Sequence, residues 1–196
     1  MRWGFDLDGC VIDLQSSLSH NIQKYHNIDL SYERVIKYDI SEIINISKKE
    51  FLDCVDITIL DFENIKPYNG SLDFLSYYYK KTRSEIIFIT SRLDHYNTEN
   101  WLKKHIRNIP YKLVFASSLY SSDNNFSKID EIIKNKIEIF VEDNSETCQE
   151  LSESNIVRVL CMNRPWNQDL NEEEYKCITR VKDWNEVKQI FDINRR

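Results

Sequence analysis

Short apolar runs separated by helix-spaced stretches fill the chain from residue 85 onward. Strands are predicted at Glu85–Ile89, Lys112–Phe115, Ile137–Val141 and Ile156–Leu160. Between and after them, helical spacing predicts helices at His95–Ile106, Lys128–Lys134, Asn144–Ser152 and Trp184–Phe191. Runs that are apolar almost throughout suit strands buried on both faces. Such strands alternating with helices imply a doubly wound parallel sheet, an α/β fold.

The first part of the chain reads differently. Trp3–Leu7 is a short buried strand, and Asp13–Tyr25 has helical spacing with Leu14, Leu18, Ile22 and Tyr25 on one face. Asp13 is the expected cap of that helix. Leu30 to Phe62 reads as mostly helical, with Val35, Ile36, Ile40, Ile43, Ile44, Phe51, Leu52 and Val55 as its apolar positions. Pro67-Tyr68-Asn69-Gly70 then punctuates the chain, and Leu72–Tyr79 is helical. This helical block interrupts the alternation just after the first strand. The predicted organisation is therefore an α/β core of residues 1–12 and 68–196 and a small helical cap of residues 13–67.

Composition narrows the function classes. The chain has 196 residues, 41% of them hydrophobic and 30% charged, which suits one globular unit with an insertion. A formal charge of −6 argues against a stable nucleic-acid complex, which needs clustered Lys and Arg. It leaves room for a small phosphorylated substrate whose charge a metal ion offsets. The five cysteines are scattered with no Cys-x-x-Cys pair, as in a reduced intracellular protein. Asp6 and Asp8 interrupt the apolar N-terminal stretch, against a signal peptide. No run approaches the ~20 apolar residues of a membrane helix. A soluble, cytoplasmic protein is expected, with a homodimer left open.

Three polar clusters follow predicted strands, where open parallel sheets bind ligands. The first is Asp6-Leu7-Asp8-Gly9. Two carboxylates two residues apart in an extended segment share a side and repel unless a cation joins them. Hard oxygen ligands suit Mg²⁺. One carboxylate can attack phosphorus while the other moves a proton, and Gly9 lets the backbone turn close to a phosphate. A calcium loop starting at Asp6 fails on register: Cys10, Val11 and Ser17 stand at its ligand, glycine and glutamate positions. A solvated turn remains the plain alternative. The second cluster, Thr90-Ser91-Arg92, offers hydroxyls, backbone N–H groups and a cation for phosphoryl oxygens, or a helix N-cap. The third, Glu142-Asp143-Asn144, could complete a metal site or cap a helix. Lys128, upstream, could neutralise phosphate or stand solvated. His20, His26, His95 and His105 are dispersed and read as surface or packing residues. Tyr38, Phe51 and Tyr68 could line a pocket, though core packing explains each.

In this order the clusters resemble the haloacid dehalogenase-like superfamily of phosphatases: Phe5-Asp6-Leu7-Asp8-Gly9, Ile89-Thr90-Ser91-Arg92, Lys128 and Phe140-Val141-Glu142-Asp143-Asn144. The resemblance implies Asp6 as nucleophile, Asp8 as general acid/base, and Thr90 and Lys128 as phosphate holders. It implies Mg²⁺ held by Asp6, the carbonyl of Asp8, and Asp143. Lys66-Pro67-Tyr68-Asn69-Gly70 and Asn163-Arg164-Pro165-Trp166-Asn167 look like segments of the 5'(3')-deoxyribonucleotidase-like group, and Val181–Val187 is similar to bacterial nucleotidases of that group. Glu142 departs from the aspartate of many relatives. The implied activity is Mg²⁺-dependent hydrolysis of a phosphomonoester through an aspartyl-phosphate, with a (deoxy)nucleoside monophosphate as substrate. Gly9, Thr90, Ser91, Arg92 and Lys128 are the expected substrate-binding residues. A phosphatase for another small metabolite or a nucleic-acid end is the rival enzyme. A catalytically idle binding protein on the same fold is the rival of another class.

Overall fold

A computed structural model describes residues 1–116 and 127–195. Six strands form one sheet: β1 Trp3–Phe5, β2 Ile86–Thr90, β3 Tyr111–Phe115, β4 Ile139–Glu142, β5 Arg158–Met162 and β6 Ile178–Val181. Their order is β3-β2-β1-β4-β5-β6, and every pairing is parallel. The strand order reverses direction between β1 and β4, so a crevice opens at the carboxyl ends of these two strands.

Side-chain alternation divides the core between the two faces. Trp3, Phe5, Phe88, Val141 and Leu160 point to one face, where Phe74 and Tyr78 of α3 (Ser71–Thr82), Trp101 of α4 (His95–His105) and Trp184 and Phe191 of α7 (Trp184–Ile193) pack on them. Ile87, Ile89, Phe140, Val159 and Cys161 point to the other, under Ile132 of α5 (Lys128–Lys134) and Leu151 of α6 (Ser145–Ser154). Both faces are covered, which explains why these strands read as unbroken apolar runs. Gly4 on β1 has no room for a side chain: a Cβ there would lie 2.6 Å from Ile137 Cδ1 and 2.9 Å from Phe140 Cδ2.

Between β1 and α3 run α1 (Leu14–His26) and α2 (Lys48–Leu60), which pack on each other and share a third apolar cluster of Leu18, Ile22, Leu30, Val35, Ile40 and Cys54. Asp13 caps α1 by accepting from the Ser16 N–H. Residues 30–62 are helical over most of their length and hold no strand, as expected, but they form no continuous helix. Only α2 and three-residue 3₁₀ turns at Tyr32–Arg34, Ile40–Glu42 and Phe62–Asn64 form. Asp39 and Ser47 take backbone N–H groups of Ser41 and Glu50, so each starts a new turn instead of continuing an old one.

The first strand also stops sooner than expected. Beyond Phe5, the Asp6 N–H donates to the Val141 carbonyl at 2.9 Å, but both Val11 and Ile12 donate back to the Leu7 carbonyl at 2.8 Å. That curls residues 7–12 into a tight loop over the sheet's end. β6, absent from the sequence reading, is a four-residue edge strand. Among the described residues, no helix is long and apolar enough to cross a membrane.

Candidate active site

The loop after β1 and the loop after β4 face each other across the crevice. Phe5 pairs with Val141 in the sheet, so Asp6 and Glu142 emerge side by side. Asp6, Glu142 and Asp143 are all buried. Lys128, the first residue of α5, places Nζ 2.7 Å from Asp6 Oδ1 and 2.7 Å from Glu142 Oε2. The other oxygen of Glu142 accepts the N–H groups of Asp143 and Asn144 at 3.0 and 3.1 Å. Glu142 thus ties the β4 loop to Lys128 and leaves Asp143 free to face Asp6.

Gly9 is what allows that approach. It adopts φ of +75°, and a Cβ built on it would overlap the Asp143 carboxylate. Asp143 is held by Trp166 Nε1, which donates to its Oδ2 at 2.8 Å, and by Asn167 Nδ2, which donates to its carbonyl at 2.7 Å. Arg164, also buried, donates from Nε to the Gly9 carbonyl at 2.7 Å and stacks its guanidinium 4.0 Å from the Tyr68 ring centre.

Asp8 stands on the other side of the loop. Arg92 donates from Nη1 to both of its carboxylate oxygens, at 2.8 and 2.9 Å. The guanidinium is fixed in turn by Nε to Thr98 Oγ1 at 2.9 Å and by stacking 3.9 Å from the Phe62 ring centre. Thr90 is buried at the end of β2, and its Oγ1 accepts the Arg92 N–H at 3.3 Å. Ser91, between them, is partly exposed.

The electrostatics are those of a site short of positive charge. Burial pushes Asp6 well above the usual carboxylate range. Lys128 opposes this, and the charges of Glu142 and Asp143 add to it. Burial likewise pushes Asp143 up, reinforced by Glu142 and opposed by Arg164 and Trp166. Burial works against the charge of Lys128, but Asp6 and Glu142 outweigh it and hold the ammonium above its ordinary value. Two of the three buried acids, Asp6 and Glu142, thus share one lysine, and Asp143 is offset chiefly by Arg164 and Trp166. Oxygens of Asp6 and Asp143 and the sulfur of Cys10 lie within 4.8 Å of one another. Burial, then Asp143 and Asp6, push the Cys10 thiol up, and its sulfur lies 3.8 Å from Asp143 Oδ1. An oxygen set with uncompensated negative charge fits a hard divalent cation.

Asp6, Gly9, Lys128 and Asp143 therefore come together at one point, with Thr90, Ser91, Asp8 and Arg92 beside it. The carboxylate of Asp8 is engaged by Arg92 and lies outside the Asp6–Cys10–Asp143 group. Sequence reasoning gave no individual role to Cys10, Arg164, Trp166 or Asn167. Tyr38, weighed as pocket lining against core packing, is half-exposed as a residue, while desolvation at its hydroxyl and the charges of Asp143, Asp6 and Asp8 push that hydroxyl well above the ordinary tyrosine value.

Residues 1–196 match the family described as 5' nucleotidase, deoxy (pyrimidine), cytosolic type C protein. The chain belongs to this family. As a type C nucleotidase family member it is an enzyme of the phosphatase class. A candidate nucleotidase of Halalkalibacterium halodurans is 26% identical over 196 residues, covering 97% of this chain and 92% of the relative. The fold is that of the haloacid dehalogenase-like hydrolases. One such protein from Streptococcus pneumoniae superposes with a TM-score of 0.64 at 14% identity, covering 97% of both chains. A hydrolase of the same superfamily from Deinococcus radiodurans, whose crystal structure holds phosphate and sodium, gives a TM-score of 0.64 at 9% identity over 97% of this chain and 94% of its own.

Proposed function

We propose that the enzyme hydrolyses a nucleoside 5'-monophosphate, deoxynucleotides included, by in-line attack of Asp6 on phosphorus. The observation that carries this reading is Lys128 bridging Asp6 and Glu142 at 2.7 Å each, opposite Asp143, at the switch point of the sheet. A buried carboxylate held by one ammonium, with a second acid across from it, is built for attack on a charged centre.

In this reading Asp6 forms a bond to phosphorus as the ester P–O bond breaks, and Asp8 gives its proton to the leaving oxygen. Asp8 then takes a proton from water, the water oxygen attacks phosphorus, and the Asp6–P bond breaks to release phosphate. Lys128, Thr90, Ser91 and the backbone around Gly9 hold the phosphoryl oxygens. Arg92 orients Asp8 and lends positive charge beside the substrate. Asp6 and Asp143 through their carboxylates, and Asp8 through its carbonyl, would hold Mg²⁺, which supplies the positive charge that the buried acids lack. Residues 13–67 act as a cap on the core of residues 1–12 and 68–196, closing over the site to exclude water.

The family description and the nucleotidase relative support the nucleotide substrate. Five free cysteines support a reducing, cytoplasmic setting. The test is phosphate release from a panel of deoxy- and ribonucleoside monophosphates and small phosphorylated metabolites, with and without Mg²⁺. Nucleotides should lead the panel, and Asp6→Asn should abolish release. A panel with no active monophosphate, or an Asp6→Asn variant that still turns over, would sink the reading.

A further inference from the structure

Trp166 belongs to two parts of the molecule at once. Its ring is buried in the apolar cluster built by α1, α2 and the turns between them, with Leu18, Ile22, Val35 and Ile40. It meets Tyr32 edge-on, ring centres 5.8 Å apart and planes at 72°. The same indole donates its N–H to Asp143 Oδ2 at 2.8 Å.

The turn that carries it is anchored to the core. Asn167 Nδ2 donates to the carbonyls of Asp143 and Met162, at 2.7 and 2.8 Å. Asn167 Oδ1 accepts from Arg180 Nη1 at 2.8 Å and from the Arg164 N–H at 3.0 Å. The backbone of the turn is therefore fixed by β5 and β6, while the ring is seated by the helical segment. The orientation of the indole N–H, and with it the Asp143 carboxylate, depends on that seating.

We infer that Trp166 is a positioning residue through which packing of the cap sets the metal-binding carboxylate of Asp143. This rests on the reading of Asp143 as a metal ligand. The indole N–H occupies Oδ2, while Oδ1 lies 3.8 Å from the Cys10 sulfur, in the group that Asp143 forms with Asp6 and Cys10. Outer partners of this kind govern ligand orientation, and their removal weakens metal binding by roughly ten- to a hundred-fold. When the cap cluster is intact the carboxylate is aimed. When the cluster loosens, the indole tilts and the carboxylate loses its donor. Cap seating and metal affinity then rise and fall together, although no residue of α1 or α2 need touch the ion.

The experiment uses the full chain and Mn²⁺ alone, its free concentration read by electron paramagnetic resonance, alongside thermal unfolding. Trp166→Phe keeps an aromatic ring in the cluster and deletes the donor. It should bind Mn²⁺ about ten-fold more weakly while unfolding near the wild-type temperature. Tyr32→Ala, which removes the edge-on partner of the indole, should also weaken binding several-fold in the wild-type background and should have no further effect in the Trp166→Phe background. Wild-type affinity in Trp166→Phe overturns the inference. So does a Tyr32→Ala effect of equal size in both backgrounds, which would route it through another contact. Asp143→Asn separates the two levels. If it binds Mn²⁺ like the wild type, the metal-site reading fails. If it binds poorly while Trp166→Phe binds normally, only the coupling fails.

Discussion

Arg92 grips Asp8 with a single nitrogen, Nη1 lying 2.8 Å from one carboxylate oxygen and 2.9 Å from the other. The rest of the guanidinium is held by Thr98 and by the face of Phe62, so the grip is rigid. Arg92→Ala should leave Asp8 free to swing and lower kcat by roughly a hundred-fold, the lower end of what a positioned acid/base contributes. Arg92→Lys keeps charge but cannot reach Asp8 and Thr98 in one planar fork, so it should recover part of the loss. Steady-state phosphate release checks both. An unchanged kcat in the alanine variant would remove Arg92 from the account.

Glu142 ends β4, and the length of its side chain has a use. It spans from Lys128 Nζ to the N–H groups of Asp143 and Asn144. Glu142→Ala would leave a buried ammonium with one partner and two N–H groups with none. Breaking a buried pair costs about 3–5 kcal/mol. Chemical denaturation should show a loss of that order. Glu142→Asp keeps the charge but is too short to serve both ends, and it should fall between. A loss below about 1 kcal/mol in Glu142→Ala would mean that the bridge contributes little.

The central strands and their helices were legible because they are buried on both faces, and unbroken apolar runs such as Ile86–Ile89 have few other readings. Asp6, Thr90 and Asp143 stood out because each follows an apolar run and a parallel sheet gathers the ends of its strands, whereas Lys128, at the start of α5, stood out through the family resemblance. Two kinds of feature were not. β6 is a four-residue edge strand whose two middle residues are only partly buried, too short for a period to register. Trp166, Arg164 and Asn167 act through contacts to Asp143 and Gly9 that lie 155 residues apart in the chain for Arg164, and local pattern carries no such information. In the mostly helical stretch from Leu30 to Phe62 the breaks were not legible: it has the apolar content of a helix throughout, while Asp39 and Ser47 restart the backbone.

Tyr38 approaches the acids from the helical segment with a hydroxyl that burial and negative neighbours keep protonated. A phenol close enough to feel these acids is a candidate donor to the anion expected there. Tyr38→Phe removes only that donor. The expected outcome is a KM raised roughly five- to ten-fold, the worth of about one hydrogen bond to a charged group, with kcat changed much less. A fall in kcat with constant KM would instead assign the hydroxyl to the transition state.

Asp143 carries a pH signature of its own. Its folded-state value is raised, first by burial and then by Glu142. A raised carboxylate means that the folded chain binds the proton more tightly than the unfolded chain. Stability from this group is therefore full below the unfolded value of 3.8 and is lost as pH rises through the folded value. In metal-free protein at neutral pH the ionised group is a liability. Asp143→Asn removes the charge, and its side-chain oxygen can still accept from Trp166. The metal-free variant should melt above the wild type at pH 7, by roughly 2–4 °C for each kcal/mol relieved. The gap should narrow as pH falls through the raised value and close where the wild-type carboxyl is protonated. Mg²⁺ should reverse the order, stabilising the wild type by mass action and the variant hardly at all. Melting curves across pH, with chelator and then with Mg²⁺, read all three outcomes. A variant that melts below the wild type at pH 7 without metal would show that the Asp143 charge is already compensated by Arg164, Lys128 and Trp166, leaving no electrostatic need for an ion.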